Sequence, residues 1–484
     1  MIGRYAIRGR LGSGGMGVVY KAAMPVTGRI VALKLCRPAD ILLGTMGLDG
    51  AREFFLREAV AMASVRHPHV ASILDVDEAE VVGLGRVPFF TMEYYCLSLG
   101  QLMGEDYDPV RPSRVLPVAD ALAIAGQMAE GLARLHWAGL VHRDVKPFNV
   151  LLDDDERVKL IDLGLSRLRG EPEKRPRGMV VGSPYYTAPE QEADADAADE
   201  RSDVFSVGVT LFRMLTGLLP EDEAGARRRA STVNPGLDGR FDDLLERALH
   251  PDPARRHQGA AELAEELGAL AGHWRRARAE ACALELDAEL EVDLAGNPAG
   301  YLASARRPRP GTVGRRVPPA HAREVFGLNE RFEPRPGPRG PFELLPGADG
   351  TLLDKATGLF WQRSGSPYAL TLDEAQQYVE KLNETRYAGR EGWRLPTVDE
   401  CCTLLTPGSA EGGPGCADPA FDQRQRRLWT SDAKSHVAHW YADAVRGFLW
   451  WQDDTCRFHA RAVSGAPAAP GQTQAAPGQG PESD

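Results

Sequence analysis

Four glycines lie close together near the N-terminus, within the stretch LGSGGMGVVYKA. Three of them, Gly12, Gly14 and Gly17, match the pattern G-x-G-x-x-G. Because glycine has no Cβ, its backbone can turn tightly and approach another group closely. Such a loop can place amide N–H groups against phosphate oxygens, so its chemistry is that of phosphate binding.

The residues after the glycines distinguish two kinds of phosphate loop. A helix at this point would indicate a dinucleotide-binding site. Instead, GVVYKA and RIVALKLC are rich in β-branched residues and alternate, which predicts strands joined by the turn MPVTG. This pattern favours a hairpin that covers phosphates. On these residues alone, a structural β-hairpin without a ligand is an equally good interpretation.

A lysine stands among apolar residues in the second predicted strand. Lys34, in the stretch VALK, needs a carboxylate or phosphate partner to offset the hydration that it would lose on burial. Glu58 lies in FLREAV, a predicted helix that could face this strand. Glu58 is therefore the candidate partner of Lys34.

A denser polar cluster follows in the stretch LVHRDVKPFNVLL. Eight positions contain His142, Arg143, Asp144, Lys146 and Asn149. Asp162 follows in IDLG, and the stretch GSPYYTAPE ends the series.

These motifs, in this order and spacing, resemble those of eukaryotic-type (Hanks) protein kinases, of the kind found in bacteria. The resemblance covers residues 1–272. It implies an α+β architecture: the bilobal protein kinase fold, with a β-rich N-lobe and a helical C-lobe. A small α+β domain follows.

The resemblance also implies the catalytic roles. Asp144 would orient the substrate hydroxyl and accept its proton, and Lys146 would neutralise charge on the transferred phosphoryl group. Lys34, held by Glu58, would contact the α- and β-phosphates. Phosphoryl transfer needs positioning and charge stabilisation more than covalent help.

ATP and Mg²⁺ are the cofactors that the resemblance implies. Asn149 and Asp162 would hold the metal, because Mg²⁺ prefers oxygen ligands. In the nucleotide pocket, Met92 would be the gatekeeper, and Glu93 and Tyr95 would offer backbone contacts to adenine. The full set of expected nucleotide-binding residues is Leu11, Gly12, Gly14, Gly17, Val19, Ala32, Lys34, Met92, Glu93 and Tyr95.

The same comparison assigns a substrate class and some structural residues. Lys146, two positions after Asp144, is typical of serine/threonine kinases, so protein substrates phosphorylated on Ser or Thr are expected. Asp203 is expected to tie a central helix to the catalytic loop, and Glu190 and Arg256 to form a buried ion pair.

The segment after Asp162 departs from the family pattern. Leu163 stands where phenylalanine is commoner, and Ser183 where threonine is usual. Between Ser166 and Ser183 there is no Ser, Thr or Tyr. We hypothesise activity without phosphorylation of this stretch, with Glu171 or Glu173 as the anion for Arg143. The alternatives are that Arg143 pairs elsewhere, or that Ser183 or Thr187 is modified.

Composition excludes several classes of function. A net charge of −11 disfavours sequence-independent nucleic-acid binding, so no nucleic-acid partner is expected. No uncharged apolar run approaches the roughly 20 residues of a membrane helix, so no membrane span is expected. The seven cysteines form neither a disulfide framework nor a C-x-x-C pair, which favours a reducing, cytoplasmic location.

Composition also predicts the domain organisation. A kinase domain at 1–272 is followed by a helical extension and a Pro/Arg/Gly-rich, mostly unpacked linker at 273–341. Residues 342–464 resemble the bacterial Lcl C-terminal type of domain, related to C-type-lectin-like and sulfatase-modifying-factor folds, on the runs WRLPT, WTSD and WYAD. Residues 465–484 are of low complexity and are expected to be disordered.

The function of the C-terminal domain stays open at this stage. Such domains commonly bind ligands or protein partners, and the tryptophans could form a platform for a sugar or peptide. Most of them are nevertheless expected in the core, because small β-rich domains need large residues inside. Two alternatives for the whole chain are an ATP-binding pseudokinase scaffold and a lectin-like binding protein regulated by its kinase domain.

Overall fold

The computed structural model of the protein describes ten stretches of chain in two compact units. The described residues are 1–105, 111–162, 167–168, 185–194, 197–222, 224–286, 314–335, 341–345, 350–405 and 417–465. Among them, the N-terminal unit ends at residue 286 and the C-terminal unit begins at residue 314. No helix within these stretches is both long enough and apolar enough to cross a membrane.

The N-terminal unit begins with a five-stranded antiparallel sheet and one long helix. The elements are β1 (Ala6–Ser13), β2 (Gly17–Ala23), β3 (Ile30–Cys36), α1 (Asp40–Ser64), β4 (Ile73–Val81) and β5 (Gly85–Glu93). The strand order is β1-β2-β3-β5-β4. Both faces of β3 are covered: Leu33 and Phe89 pack on one side with Tyr5, while Phe90 on the other side packs against Phe55 of α1, with ring centroids 5.1 Å apart.

A helical lobe follows. Its helices are α2 (Leu99–Met103), α3 (Val118–Trp137), α4 (Pro189–Ala193), α5 (Glu200–Thr216), α6 (Ala230–Val233), α7 (Gly239–Ala248) and α8 (Ala260–Leu286). Helix α5 is buried over nearly its whole length, so it forms the centre of the lobe. The predicted division into a β-rich and a helical lobe is confirmed.

Short strands hold the loops that carry the polar cluster. They are β6 (Leu97–Ser98), β7 (Leu140–Val141), β8 (Val150–Leu152), β9 (Val158–Leu160) and β10 (Arg167–Leu168). Strand β8 pairs with β6 and β9, and β7 pairs with β10. The loop at 142–149 therefore leaves β7 and returns to β8, and Asp162 follows β9.

The C-terminal unit combines two antiparallel sheets with three helices. Its elements are α9 (Pro319–Val325), β11 (Phe342–Leu344), β12 (Thr351–Asp354), β13 (Phe360–Gln362), α10 (Leu372–Glu384), α11 (Val398–Leu404), β14 (Arg427–Ala433), β15 (Ala438–Asp443), β16 (Phe448–Asp453) and β17 (Val463–Ser464). The sheets are ordered β11-β12-β13-β17 and β14-β15-β16. Thr371 caps α10 in a capping box with Glu374.

Tryptophans fill the core of this unit. Trp361, Trp393, Trp429 and Trp440 are at most 2% exposed, so the prediction that most tryptophans are core residues is confirmed. Trp450 and Trp451 are only half-buried and stack with ring centroids 4.0 Å apart.

The expectation of a mostly unpacked linker is wrong for residues 314–335. Val317, Ala322, Phe326 and Leu328 are buried in the C-terminal core, and the carbonyl of Val317 accepts a hydrogen bond from the Trp440 indole at 2.9 Å. The Pro, Arg and Gly content of the segment hides these few apolar anchors. Residues 287–313 of the predicted linker and 466–484 of the predicted tail lie outside the described residues.

The cysteines also correct the sequence analysis. Cys96 and Cys456 each form a disulfide bond, although no disulfide framework was expected, while the thiols of Cys36 and Cys401 are free. Spacing along the chain does not show which cysteines approach one another in space. The cytoplasmic location stays a prediction.

Candidate active site

The glycine-rich stretch forms the turn between β1 and β2. The amide of Gly14 donates to the carbonyl of Gly17 at 2.9 Å. A Cβ at Gly17 would lie 2.4 Å from the carbonyl oxygen of Leu35, so packing alone requires glycine there. A Cβ at Gly12 or Gly14 would meet no protein atom within 4 Å. Packing does not explain those two glycines, whereas close approach of a ligand does.

Strand register brings several predicted nucleotide-binding residues to one face of the sheet. Val19 lies directly opposite Lys34, and Ala32 lies directly opposite Met92. Directly paired residues share a face, and so do residues two apart in a strand. Gly12 is paired with Val19 and joins the same face.

The predicted hinge residues follow at the end of β5. Glu93 accepts hydrogen bonds from Arg29 at 2.7 Å and from the Tyr95 hydroxyl at 2.9 Å. Burial and the neighbouring Glu93 carboxylate raise the pKa of Tyr95. Leu11, in β1, is 44% exposed.

Lys34 joins three elements through its ammonium group. Its Nζ lies 2.6 Å from Glu58 Oε1 of α1 and 2.9 Å from Asp162 Oδ1, just beyond β9. Burial opposes the charge of Lys34, but the charges of Asp162 and Glu58 outweigh it and raise the pKa of Lys34. In turn, Lys34 lowers the pKa of Asp162. The lysine and Asp162 are therefore both ionised at neutral pH.

The catalytic-loop cluster is held by short hydrogen bonds. Lys146 Nζ donates to Asp144 Oδ2 at 2.8 Å. The amide nitrogen of Asn149 donates to the same oxygen at 2.9 Å and to the backbone carbonyl of Asp144 at 2.8 Å. The Asp144 carboxylate is thus fixed by two donors from the same loop.

Asp203, in α5, holds the start of this loop through its carboxylate. Its carboxylate accepts the backbone amides of His142 and Arg143, each at 2.8 Å, and is bonded to His136 Nε2 at 2.8 Å. Burial opposes ionisation, but the hydrogen bond from His136 and the neighbouring charges lower the pKa of Asp203. A buried carboxylate therefore anchors the start of the loop, and Arg143 keeps a positive φ of 69°.

His142 packs behind the loop. It is fully buried, and its Nε2 lies 3.1 Å from the carbonyl of Ile161. Because Ile161 precedes Asp162, His142 couples the catalytic loop to the metal-binding candidate. Asp162 also has a positive φ, of 65°, and strained backbone of this kind is concentrated at functional sites.

Asn149 and Asp162 suit a hard divalent cation. Both amide hydrogen bonds of Asn149 point to Asp144, which leaves its Oδ1 for a metal. The side chain of Asp162 is 42% exposed, so its carboxylate is accessible. Among the described residues, no group of three His, Cys, Asp or Glu side chains could hold a metal by itself. Phosphate and water oxygens would complete the coordination of Mg²⁺.

An ion pair anchors α4. Arg256 donates to both carboxylate oxygens of Glu190 at 2.7 Å, and Ser202 donates to Glu190 at 2.8 Å. The guanidinium is 0% exposed. The residues expected to form this pair are therefore in contact.

Comparisons with known proteins agree with this geometry. Residues 5–266 match the protein kinase domain family, and residues 350–464 match the Lcl C-terminal domain family.

The chain belongs to the protein kinase family.

Two bacterial relatives show the extent of the similarity. Serine/threonine-protein kinase PksC of Streptomyces coelicolor is 36% identical over 290 residues, which are 57% of this chain and 50% of PksC. PknA of Mycobacterium tuberculosis is 31% identical over 347 residues, covering 68% of this chain and 76% of PknA. The chain thus spans only half the length of PksC. The crystal structure of the M. tuberculosis PknI kinase domain matches at 28% identity with a TM-score of 0.41, covering 55% of this chain and 96% of that chain.

The structure adds a polar group of the kinase domain that the sequence analysis missed. The Tyr186 hydroxyl donates to both carboxylate oxygens of Glu105, at 3.0 and 3.1 Å. Arg213 of α5 lies behind them, with Nε 4.0 Å from Glu105. Arg213, which stands among apolar residues in the last turns of α5, was an available signal, but nothing in the sequence pointed to Glu105.

Several expectations for the kinase domain lie outside the described residues. They concern Leu163, Glu171, Glu173 and Ser183. Within the described chain, Arg143 Nη2 donates to the carbonyl of Ala198 at 3.1 Å, and its own carbonyl accepts from Gln191 at 2.8 Å. Arg143 thus has a partner elsewhere in the chain, as one of the predicted alternatives requires.

Proposed function

We propose that the chain transfers the γ-phosphoryl group of Mg²⁺-bound ATP to serine or threonine side chains of proteins. The observation that carries this proposal is the convergence of Lys34, Glu58 and Asp162 within hydrogen-bonding distance of one another. An ATP-binding pseudokinase scaffold would use the same groups to hold the nucleotide, so phosphate transfer distinguishes the two. Lys34 would be positioned to contact the α- and β-phosphates.

Asp144 would orient and deprotonate the attacking hydroxyl. The donors Lys146 and Asn149 fix its carboxylate, so the acceptor oxygen meets a preformed base. Lys146 would also neutralise negative charge on the phosphoryl group during its transfer. When bound, Mg²⁺ supplies charge neutralisation at the phosphates, and Asn149 and Asp162 would hold it.

The glycine turn supports ATP as the phosphate donor. Side chains at Gly12 and Gly14 would meet no protein atoms, so the exposed backbone is free to lie against a triphosphate. The apolar residues Val19, Ala32 and Met92, on the same sheet face as Lys34, would cover the adenine base.

Labelled ATP and Mg²⁺ with casein and myelin basic protein as acceptors test the proposal. Asp144→Asn should reduce phosphate transfer by roughly 100-fold or more because the base is lost. Asp155→Asn, the same change at an exposed carboxylate of the next turn, should leave the rate intact. Phosphoamino-acid analysis should show phosphoserine or phosphothreonine. If the chain binds Mg-ATP but transfers nothing, the pseudokinase alternative replaces this proposal.

We further propose that the C-terminal domain recognises a ligand or protein partner. Trp450 and Trp451 support it, because their stacked rings are only half-buried and Lys434 Nζ lies 4.7 Å from the Trp451 ring centre. Aromatic faces beside a cation suit amphipathic ligands.

A truncation after residue 286 separates the two roles of the C-terminal domain. It keeps α8 and removes the whole C-terminal unit, including the packed segment at 314–335. If the domain selects substrates, the truncated chain should phosphorylate casein at the full rate but lose selectivity among proteins of a cell extract. If the chain is instead a binding protein whose C-terminal domain is regulated by the kinase domain, the truncation should leave the choice of phosphorylated substrates unchanged.

A further inference from the structure

Helix α1 is interrupted at Gly47. Its φ of 68° and ψ of 176° lie outside the helical region, in a conformation that only glycine adopts easily. Gly47 is exposed, and a Cβ there would meet no protein atom within 4 Å. The backbone conformation, rather than packing, therefore requires glycine at this position. The interruption divides α1 into a short first part, residues 40–46, and a long second part, residues 48–64.

The residues that lead into the first part are bonded to the glycine turn. The amide of Arg37 donates to the carbonyl of Met16 at 3.2 Å, and the amide of Ala39 donates to the carbonyl of Gly15 at 2.8 Å. The buried side chain of Leu42 packs against the same turn, because a Cβ at Gly15 would lie only 3.3 Å from Leu42 Cδ1. Two backbone hydrogen bonds and one apolar contact thus hold the middle of the turn.

These contacts decide the stability of residues 37–43, a segment that we call the strap. Helix α1 begins at Asp40 without a side-chain cap, and its part before Gly47 is shorter than the roughly 12–15 residues that an isolated helix needs. Gly44 lowers its helix propensity further. The strap is therefore ordered by the glycine turn, and the middle of the turn is held by the strap. A group that fixes either one stabilises the other.

The second part of α1 is fixed on the sheet by different contacts. Its Phe55 ring packs against Phe90 of β5, with centroids 5.1 Å apart, and Glu58 pairs with Lys34 of β3 at 2.6 Å. Gly47 thus joins a helix that is anchored at Lys34 to a strap that is anchored at the glycine turn. A change of backbone angle at Gly47 would move the turn relative to Lys34.

We propose that Gly47 is a positioning residue for nucleotide binding: it lets the strap hold the glycine turn against the phosphates while Glu58 holds Lys34. This inference rests on the proposed binding of Mg²⁺-ATP. Because the strap acts through the turn that would cover the phosphates, it should strengthen the binding of nucleotides that carry phosphates and leave the binding of adenosine unchanged. A general loss of folding would instead weaken both ligands alike.

Calorimetric titration of the full chain with Mg-AMP-PNP and with adenosine tests the proposal. Alanine is strained at the backbone angles of Gly47, so Gly47→Ala should weaken Mg-AMP-PNP binding by roughly fivefold or more and leave adenosine binding unchanged. Gly44→Ala makes the same change at a glycine in helical conformation whose Cβ would meet no protein atom, and it should bind Mg-AMP-PNP at least as tightly as the unchanged chain. Unchanged affinity in Gly47→Ala, an equal loss for both ligands, or an equal loss in Gly44→Ala overturns the proposal.

Hydrogen exchange of the unchanged chain gives a readout that does not depend on the folding of a variant. Mg-AMP-PNP should slow the exchange of the Arg37 and Ala39 amides, which are bonded to the turn, and of the Leu43 amide, which is bonded to the carbonyl of Ala39. Protection of the glycine turn without protection of the strap overturns the coupling between them. Absence of any Mg-AMP-PNP binding to the unchanged chain instead contradicts the proposed function, and this inference fails with it.

Discussion

Lys34 and Glu58 form a buried ion pair, with Nζ and Oε1 2.6 Å apart, that joins β3 to α1. The side chain of Glu58 is 1% exposed, so no water can take over its role. The same ammonium reaches Asp162. The position of α1 thereby determines whether the lysine and the metal-binding aspartate are held together.

Glu58→Gln should lower kcat/KM for ATP by about tenfold or more. Glutamine keeps the shape but removes the charge that holds Lys34, and lost electrostatic preorganisation lowers the rate of the chemical step. Steady-state kinetics with varied ATP measure the effect. The control is Glu53→Gln, also on α1, whose exposed carboxylate pairs with Arg57 at 2.7 Å on the surface. Equal losses in both variants would show that the charge of Glu58 has no special role.

Two glycine substitutions separate packing from phosphate binding. Gly17→Ala places a Cβ against the Leu35 carbonyl, so it should lower the free energy of unfolding by about 1–3 kcal/mol. Gly14→Ala meets no protein atom and should leave stability unchanged while raising KM for ATP. Denaturant unfolding without nucleotide and ATP kinetics distinguish the two effects. Should Gly14→Ala leave KM unchanged, the turn does not approach the phosphates.

Much of the kinase fold and its polar cluster could be predicted from the sequence. The alternation around VALK predicts a strand, and a lysine among its apolar residues needs an acidic partner. Glu58, in the next predicted helix, is the candidate for that partner. Asp144, Lys146 and Asn149 lie within one short loop, so their proximity follows from the chain itself. Fixed spacing of separate motifs then identified the family.

Contacts between distant segments could not be predicted in this way. Glu105 and Tyr186 are 81 residues apart, and no sequence motif links the two positions. The anchors at Val317 and Phe326 stand in a segment whose average composition indicates a linker. In each case the contact joins residues that are distant in sequence, and neither composition nor periodicity predicts such a contact.

The activation segment should not need phosphorylation between residues 167 and 182. This stretch contains no hydroxyl side chain, and Arg143 Nη2 donates to the carbonyl of Ala198, which gives this guanidinium a partner within the chain. Phosphatase-treated protein should therefore keep its full rate, with mass spectrometry showing no phosphate at Ser183 or Thr187.

A Ser183→Ala variant removes the flanking acceptor at residue 183 and should also stay active in the untreated state. Loss of activity on phosphatase treatment, with recovery when a phosphate returns to the segment, contradicts the prediction.

The Glu105–Tyr186 contact predicts a pH-dependent stability of the kinase domain. Burial raises the pKa of Glu105 above its ordinary value. An acid whose pKa is higher in the folded state favours folding at low pH, and this contribution is lost as the pH rises through the folded-state pKa.

Glu105→Gln can still accept the Tyr186 hydrogen bond but carries no charge. Its free energy of unfolding, relative to the unchanged protein, should therefore increase as the pH rises above the ordinary pKa of a glutamate, about 4.3, as measured by urea unfolding. Glu246→Gln, at an exposed position of α7, should show no such trend, and a Glu105→Gln difference that is flat with pH would mean that Glu105 titrates alike in both states.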